Sequence, residues 1–464
     1  MIPRKPLNRV LVANRGEIAL RIIRACQQMG IETVLAASAA DRDSLPARAA
    51  DRTVCIGPAP SARSYLDIGA IVTAAKGTGA DAVHPGYGFL SEKPELAEAC
   101  MREGLIFIGP TAEQIRAMGN KLQARERAKA LGLPMLPGSE HVATWHEAAE
   151  VAARIGFPVL LKAASGGGGR GMKVVNQPGE LQRLFESASE EARAAFGDNM
   201  LYLERYLAKA RHVEVQVLGD AFGNLVHLGE RDCSLQRRHQ KLVEESPAPG
   251  IGAELRRAIC AAGVTLAQSI GYQSAGTVEF LFDEDAGRFH FLEMNTRIQV
   301  EHPVSEMVTG IDLVQEQLRV ARGEALRFRQ DDIVFRGHAS ECRINAEVPA
   351  EGFRPSPGRV TEWEPPQGPN IRLDSHCHAG YGVPPYYDSM IGKLIVYGSD
   401  REEALQRMRQ ALARFRISGI GTTLEFLRHV MADPDFAAGR VSTLGVERLI
   451  GEMAGESGAC QERG

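Results

Sequence analysis

Residues 291–303 read FLEMNTRIQVEHP, and on an extended backbone Glu293 and Asn295 fall on one face. Glu279 lies in a preceding stretch that pairs with this one as a hairpin and reaches the same face. Two carboxylates and an amide oxygen are hard ligands of the kind Mg²⁺ takes beside nucleotide phosphates. A single strand glutamate is more often a solvated charge, but apolar neighbours surround both of these, and a buried carboxylate needs a partner. Arg297, Gln299 and Glu301 continue the alternation, offering an anion fork, a hydrogen-bond donor and a base. A second stretch, KAASGGGGRGM at 162–172, sets a glycine run between Lys162 and Arg170. Such a run costs backbone entropy and is kept where bare N–H groups approach an anion. No GK[ST] follows, so it is not a Walker A loop, and alone it reads equally well as a hairpin tip. Lys121, on the helix opened by TAEQIRAMGNK, adds a second lysine, and the two with a mobile glycine flap suggest a polyphosphate clamp.

Other conspicuous residues have plainer readings. His84 in HPGYG is more often a turn histidine than a catalyst. Cys233 in ERDCSLQ reads as a small buried thiol. The cations of QRRHQK read as a solvated face.

Alternating elements must position these groups. RVLVA, IETVLAAS, ADAVHPGYG and GLIFIGP read as strands and EIALRIIRACQQMG as a helix, so the first 115 or so residues form a doubly wound, mostly parallel sheet. Thr111 and Gln114 have capping-box spacing. After the Pro/Gly linker LGLPMLPGSE comes a small α+β module: a helix near 144–155, strand PVLLKAA, the glycine loop, strand MKVVN, a helix over 178–196 and strand MLYLERYL. Period-two alternation then predicts hairpins turning at 220–224 and near 283–287. Beyond Arg336, short strands and Pro/Gly turns imply a mixed C-terminal domain.

At 464 residues the chain needs several domains. A net charge of -4 supplies no broad basic field for nucleic acid or acidic membranes. The eight cysteines have no CxxC pair and read as reduced thiols. No apolar run reaches the ~18 residues of a membrane span, and the N-terminus lacks a signal-peptide core, so the expected location is the cytoplasm.

NRGEIALRIIRA, HPGYGFLSE, KAASGGGGRGM, RHVEVQVLGD, GERDCSLQRRHQKLVEESPAPG, EMNTRIQVEHPVSE, GHASECRINAE and PYYDSMIGKLI, in this order, resemble biotin carboxylase of the ATP-grasp superfamily over residues 9–450. The resemblance implies an α/β and α+β multidomain protein. Its parts would be a Rossmann-like N-terminal domain (1–117), an ATP-grasp centre (118–330) with a mobile lid (about 134–206), and a mixed C-terminal domain (331–464). It implies that Lys121, Lys162, Gly168 and Gly169 touch ATP phosphates. Glu204, Arg205, Tyr206 and Leu207 would form the adenine hinge, with His212, Gln236 and His239 near the ribose. Glu279, Glu293 and Asn295 would hold two Mg²⁺ or Mn²⁺ ions. Lys241, Arg297, Gln299 and Val300 would bind bicarbonate, Glu301 would be its base, and Arg343 would face biotin. The glycine loop would close over the phosphates. Relatives often have a further glycine at Ser165 and lysine at Arg205; backbone readout of adenine tolerates both.

No Met-Lys-Met biotinylation motif is present, so biotin is expected on a separate carrier protein, with a separate carboxyltransferase, as in bacterial acetyl-CoA carboxylase; a homodimeric enzyme is also expected. The final acyl acceptor is left open. Rival readings are another ATP-grasp ligase and a catalytically silent ATP-binding subunit. A nicotinamide oxidoreductase fits poorly, because VANRGEIA lacks GxGxxG.

Overall fold

The computed structural model describes residues 7–163, 172–207 and 209–461; Gly168 and Gly169, and with them the glycine loop, lie outside the described residues. β1 (Arg9–Val12), β2 (Glu32–Ala37), β3 (Arg52–Cys55), β4 (Ala82–His84) and β5 (Ile106–Phe107) form a parallel sheet in the order β3-β2-β1-β4-β5. Its two faces follow from strand alternation: Val10 and Val12 enter one core with Ile18 and Ile22 of helix Gly16–Gln28, while Leu11 enters another with Val34 and Val83. His84 is buried among these layers. Burial lowers its pKa to about 3, and its Nδ1 accepts from the Gly86 N–H at 3.1 Å, a structural role.

The capping box forms, with Thr111 and Gln114 satisfying each other's backbone N–H at the start of helix Ala112–Gly119. That helix stops sooner than expected. Asn120 caps a second helix, Lys121–Ala130, by accepting from Gln123 N–H at 3.1 Å, so Lys121 opens a new element rather than riding on the first.

The small module is self-contained. β6 (Val159–Ala163), β7 (Lys173–Val175) and β8 (Leu201–Arg205) form an antiparallel sheet ordered β7-β6-β8. Helices Trp145–Ile155 and Leu181–Phe196 cover it, burying Ala148, Ala152, Leu161, Phe185 and Leu203 in a core of their own.

Both expected hairpins form: β9 (Ala210–Gly219) with β10 (Leu225–Arg237), later β12 (Ser274–Asp283) with β13 (Arg288–Asn295). At the first turn Asp220 Oδ1 accepts from the N–H groups of Phe222 and Asn224. With β11 (Gln240–Ser246) and β14 (His338–Asn345) they build an eight-stranded antiparallel sheet, ordered β13-β12-β9-β10-β11-β14 and completed by strands Met390–Gly398 and Ile371–Ser375. The sheet therefore runs unbroken from the central region into the C-terminal one. One face of β9 sends Val213, Val215 and Val217 into an apolar core beneath helix Ala253–Ser269; the other presents His212, Glu214 and Gln216, all buried.

One expectation fails. β13 ends at Asn295, and Arg297, Gln299 and Glu301 do not continue its alternation: residues 296–300 are irregular, and Glu301 is the N-cap of helix His302–Thr309. Pro303 has no N–H for a sheet ladder but fits the first turn of a helix, which sets where the extended chain must stop.

Candidate active site

The polar face of the large sheet closes one side of a cavity of about 840 Å³. The β12–β13 register sets Glu279 opposite Glu293, with a bulge just after Glu279, and Asn295 opposite Thr277. All three expected residues thus stand on adjacent strands and line the cavity. Glu279 Oε1 accepts from Asn295 Nδ2 at 2.8 Å, Gln299 Nε2 at 3.1 Å and Lys241 Nζ at 3.2 Å, and His212 Nε2 stands 3.2 Å from Oε2. Glu293 is half-buried and pairs with Lys121 at 3.1 Å. These are hard oxygen donors gathered at one place and held now by cations and amides, a chemistry that fits Mg²⁺ or Mn²⁺. Burial works against the His212 imidazolium, but the facing Glu279 carboxylate overrides it and raises the pKa to about 9.

Deeper lies a chain of buried charge. Lys241 Nζ touches Glu214 at 2.5 Å and Glu301 at 2.6 Å. Arg343 bridges Glu301 at 2.8 Å and Glu244 at 2.6 Å. Both oxygens of Glu301 are therefore occupied, and Glu301 is the one described candidate that does not line the cavity. It sits behind Lys241 and Arg343, so a substrate reaches it where those two cations present themselves. Burial opposes the Lys241 charge, yet Glu214, Glu279 and Glu301 hold its pKa well above normal. Arg297 binds Glu92 at 2.9 Å, Gln299 Oε1 at 2.8 Å and Asn295 Oδ1 at 3.1 Å, tying the irregular segment back to β13. The Val300 carbonyl accepts from Lys393 Nζ at 2.7 Å.

At the other end of the cavity Lys162 pairs with Glu204 at 2.5 Å. Arg125 also binds Glu204, and burial of this carboxylate is outweighed by the two cations, which keep its pKa low. Arg205, Tyr206 and Leu207 line the wall beside it; Arg205 is exposed and donates to the Ile155 carbonyl at 3.2 Å. Gln236 is buried at the end of β10, and His239 sits exposed in the following turn with φ 66, both against the cavity. Cys233 is buried and burial pushes its thiol pKa well above normal, an inert thiol as expected.

Several participants carried no sequence signal of their own. Glu214 was foreshadowed by the alternation of HVEVQV, which puts it with His212. Arg125, Arg231, Glu244 and Lys393 enter only through pairing between distant strands and helices, as with Arg231 binding Glu214. Glu92, Arg231, Glu244 and Lys393 lie within the family-like motifs, but nothing local marks them.

Two cavity-lining lysines, a hairpin presenting Glu279, Glu293 and Asn295, and a cation–carboxylate chain on one antiparallel sheet, with a separate α+β module, define an ATP-grasp enzyme. The N-terminal domain model of biotin carboxylase matches residues 6–115 and its C-terminal domain model residues 341–448; between them, the ATP-binding domain model of the carbamoyl-phosphate synthase L chain matches 120–329. The chain is 54% identical to biotin carboxylase of Pseudomonas aeruginosa, over 96% of this chain and 99% of that one. It is 53% identical to that of Nostoc sp., over 95% and 99%. Among solved structures, a Campylobacter jejuni biotin carboxylase complexed with β,γ-ATP superposes with a TM-score of 0.93 at 48% identity, covering 96% of this chain and 99% of that one. The biotin carboxylase domain dimer of Hydrogenobacter thermophilus 2-oxoglutarate carboxylase, with MgADP, ADP and bicarbonate, gives 0.92 at 46%, with the same coverage. The chain belongs to the biotin carboxylase family.

Proposed function

We propose that this chain uses ATP and bicarbonate to carboxylate biotin held by a separate carrier protein, as the first half-reaction of an acyl-CoA carboxylase. The observation that carries the reading is the junction on one sheet face of the Glu279–Glu293–Asn295 oxygen set with the Lys241–Glu301–Arg343 chain. Lys121 and Lys162, with Gly168 and Gly169, bind ATP phosphates; the 204–207 segment holds adenine, and His212, Gln236 and His239 the ribose. Glu279, Glu293 and Asn295 hold divalent metal, which when bound supplies charge neutralisation for the transferring phosphoryl group.

Bicarbonate is a poor electrophile, so it is first activated. Lys241, Arg297, Gln299 and the Val300 backbone bind it, and Glu301 takes its proton as its oxygen attacks the γ-phosphorus and the bond to ADP breaks. Carboxyphosphate then separates into CO₂ and phosphate. The phosphate takes the ureido proton of biotin, and the nitrogen attacks CO₂ while Arg343 stabilises the enolate-like charge. Closure of the lid over the phosphates keeps water from the labile intermediate. A dimer, a partner carboxyltransferase and a cytoplasmic site of action complete the proposal; among the described residues no helix is long and apolar enough to cross a membrane.

The test uses free biotin as acceptor. ADP release should require bicarbonate and accelerate with biotin. Release indifferent to biotin would favour another ATP-grasp ligase, and none at all a silent subunit.

A further inference from the structure

Behind Arg343, on the side away from the cavity, two glutamates face each other across the β11–β14 ladder. Glu244 and Glu341 are directly opposed in register, and neither has any solvent exposure. Residues opposed in this way place their Cβ atoms ~5 Å apart, so the carboxyl groups are within mutual reach. Glu244 Oε1 is taken by Arg343 at 2.6 Å. Glu244 Oε2 and both oxygens of Glu341 have no hydrogen-bond partner among the described residues.

Two ionised carboxylates in this position would be close like charges, with three buried oxygens lacking donors, an arrangement that is strongly unfavourable. A proton on one of them removes one charge and creates the missing donor. We propose that Glu244 and Glu341 form a carboxyl pair sharing one proton, which fixes the charge behind Arg343 and leaves its guanidinium able to stabilise negative charge on the acceptor. This rests on the reading of Arg343 given above.

The surroundings agree. Arg343 is already bracketed by Glu301 and Glu244, and a third full negative charge would neutralise it further. The other charged groups facing the pair are Lys393 from strand Met390–Gly398, Lys241 from β11 and Glu301 at the start of helix His302–Thr309. Lys393 is committed to Glu17 at 3.1 Å and to the Val300 carbonyl at 2.7 Å, and His302 on the same helix is kept neutral by burial. Burial, opposed by Arg343, lifts Glu244 to about 7, and burial lifts Glu341 well above the carboxylate range despite Lys393. Glu341 and Glu244 are therefore positioning residues: they touch no substrate and act through Arg343.

Glu341→Gln preserves shape and cannot add the second charge. Infrared spectra of the full chain should show the carbonyl stretch of a neutral buried carboxyl near pH 7 in wild type, and that band should vanish in Glu341→Gln. In wild type, alkaline pH ionises the pair and places extra negative charge beside Arg343, so biotin-dependent turnover falls. The variant should abolish this alkaline limb, while bicarbonate-dependent ATP cleavage without biotin keeps its profile. Absence of a neutral carboxyl band assignable to Glu341 overturns the shared proton, and a band with an unmoved alkaline limb overturns the charge-setting role. If instead Arg343→Ala loses both activities in parallel while the band persists, the assignment of Arg343 to biotin fails and the carboxyl pair stands.

Discussion

Arg343 and Glu293 show how much a residue's neighbours sharpen its expected role. Arg343 touches both Glu301 and Glu244, so its removal leaves Lys241 as the one ion-pair partner of Glu301 among the described residues. Loss of a donor to developing charge costs ~2.7–4 kcal/mol, so Arg343→Ala should lose about 10²–10³ in biotin-dependent carboxylation. Bicarbonate-dependent ATP cleavage should fall much less, because Lys241 still holds Glu301; steady-state rates with and without free biotin compare the two. Arg297→Ala, at the bicarbonate end, should depress both, and an intact biotin-free rate in that variant would remove Arg297 from bicarbonate. Glu293 is half-buried with Lys121 as its one ion-pair partner among the described residues, so Glu293→Gln orphans no deeply buried charge. It should fold normally yet need markedly more Mg²⁺ for half-maximal turnover, and a Mg²⁺ titration superimposable on wild type would dismiss it as a ligand. The alternation of FLEMN made Glu293 and Asn295 legible, since two residues on one strand share a face whatever the partner. Glu244 and Lys393 were not, because each matters through what a distant strand places opposite it.

Among elements, the strands, the capping box and both hairpins followed from local pattern and turn chemistry. The misreadings lay where one element gives way to the next: Asn120 starts a new helix under Lys121, and Pro303 helps to convert an extended run into a helix at Glu301. Neither boundary is visible in hydrophobic period alone, since a cap and a first-turn proline act through single hydrogen bonds. The module of β6–β8 was legible as a unit and has its own core, which makes it separately perturbable. Leu203 is fully buried there, and Leu→Ala at such a site costs about 2–5 kcal/mol. Leu203→Ala should accelerate hydrogen exchange across Val159–Ala163 and Leu201–Arg205 and weaken ATP binding, while Ala210–Gly219 keeps its protection. Uniform loss of protection would show that the module and the large sheet unfold together.

Across the whole molecule, buried ion pairs stitch the N-terminal layer to the rest. Arg21 reaches Glu306 at 2.9 Å and Asp312 at 2.7 Å; Arg372 joins Glu306 and Asp374, each at 2.7 Å. Burial pushes the Asp374 pKa up, but Arg372 dominates and holds it down to about 2. A carboxyl whose folded pKa is depressed stabilises the fold above its unfolded value of ~3.9, and that contribution is lost as pH falls towards the folded value. Asp374→Asn should therefore lower Tm most at about pH 7, with the gap to wild type closing below about pH 4. A gap constant with pH would mean that Asp374 contributes shape rather than charge. None of these long-range pairs was legible in the sequence, because their register is set by strand order rather than by spacing.

That strand order has a consequence for recombination. The seam between β11 and β14 joins the strand carrying Lys241 and Glu244 to the strand carrying Glu341 and Arg343, with Val243 opposite Cys342 and Ser246 opposite Ala339. Cutting the chain between those strands would bare two open sheet edges and scatter the groups proposed to serve bicarbonate from those proposed to serve the acceptor. A chimera that borrows the half proposed to face the acceptor from a relative must import both edges of that seam together, so in design the two half-sites travel as one.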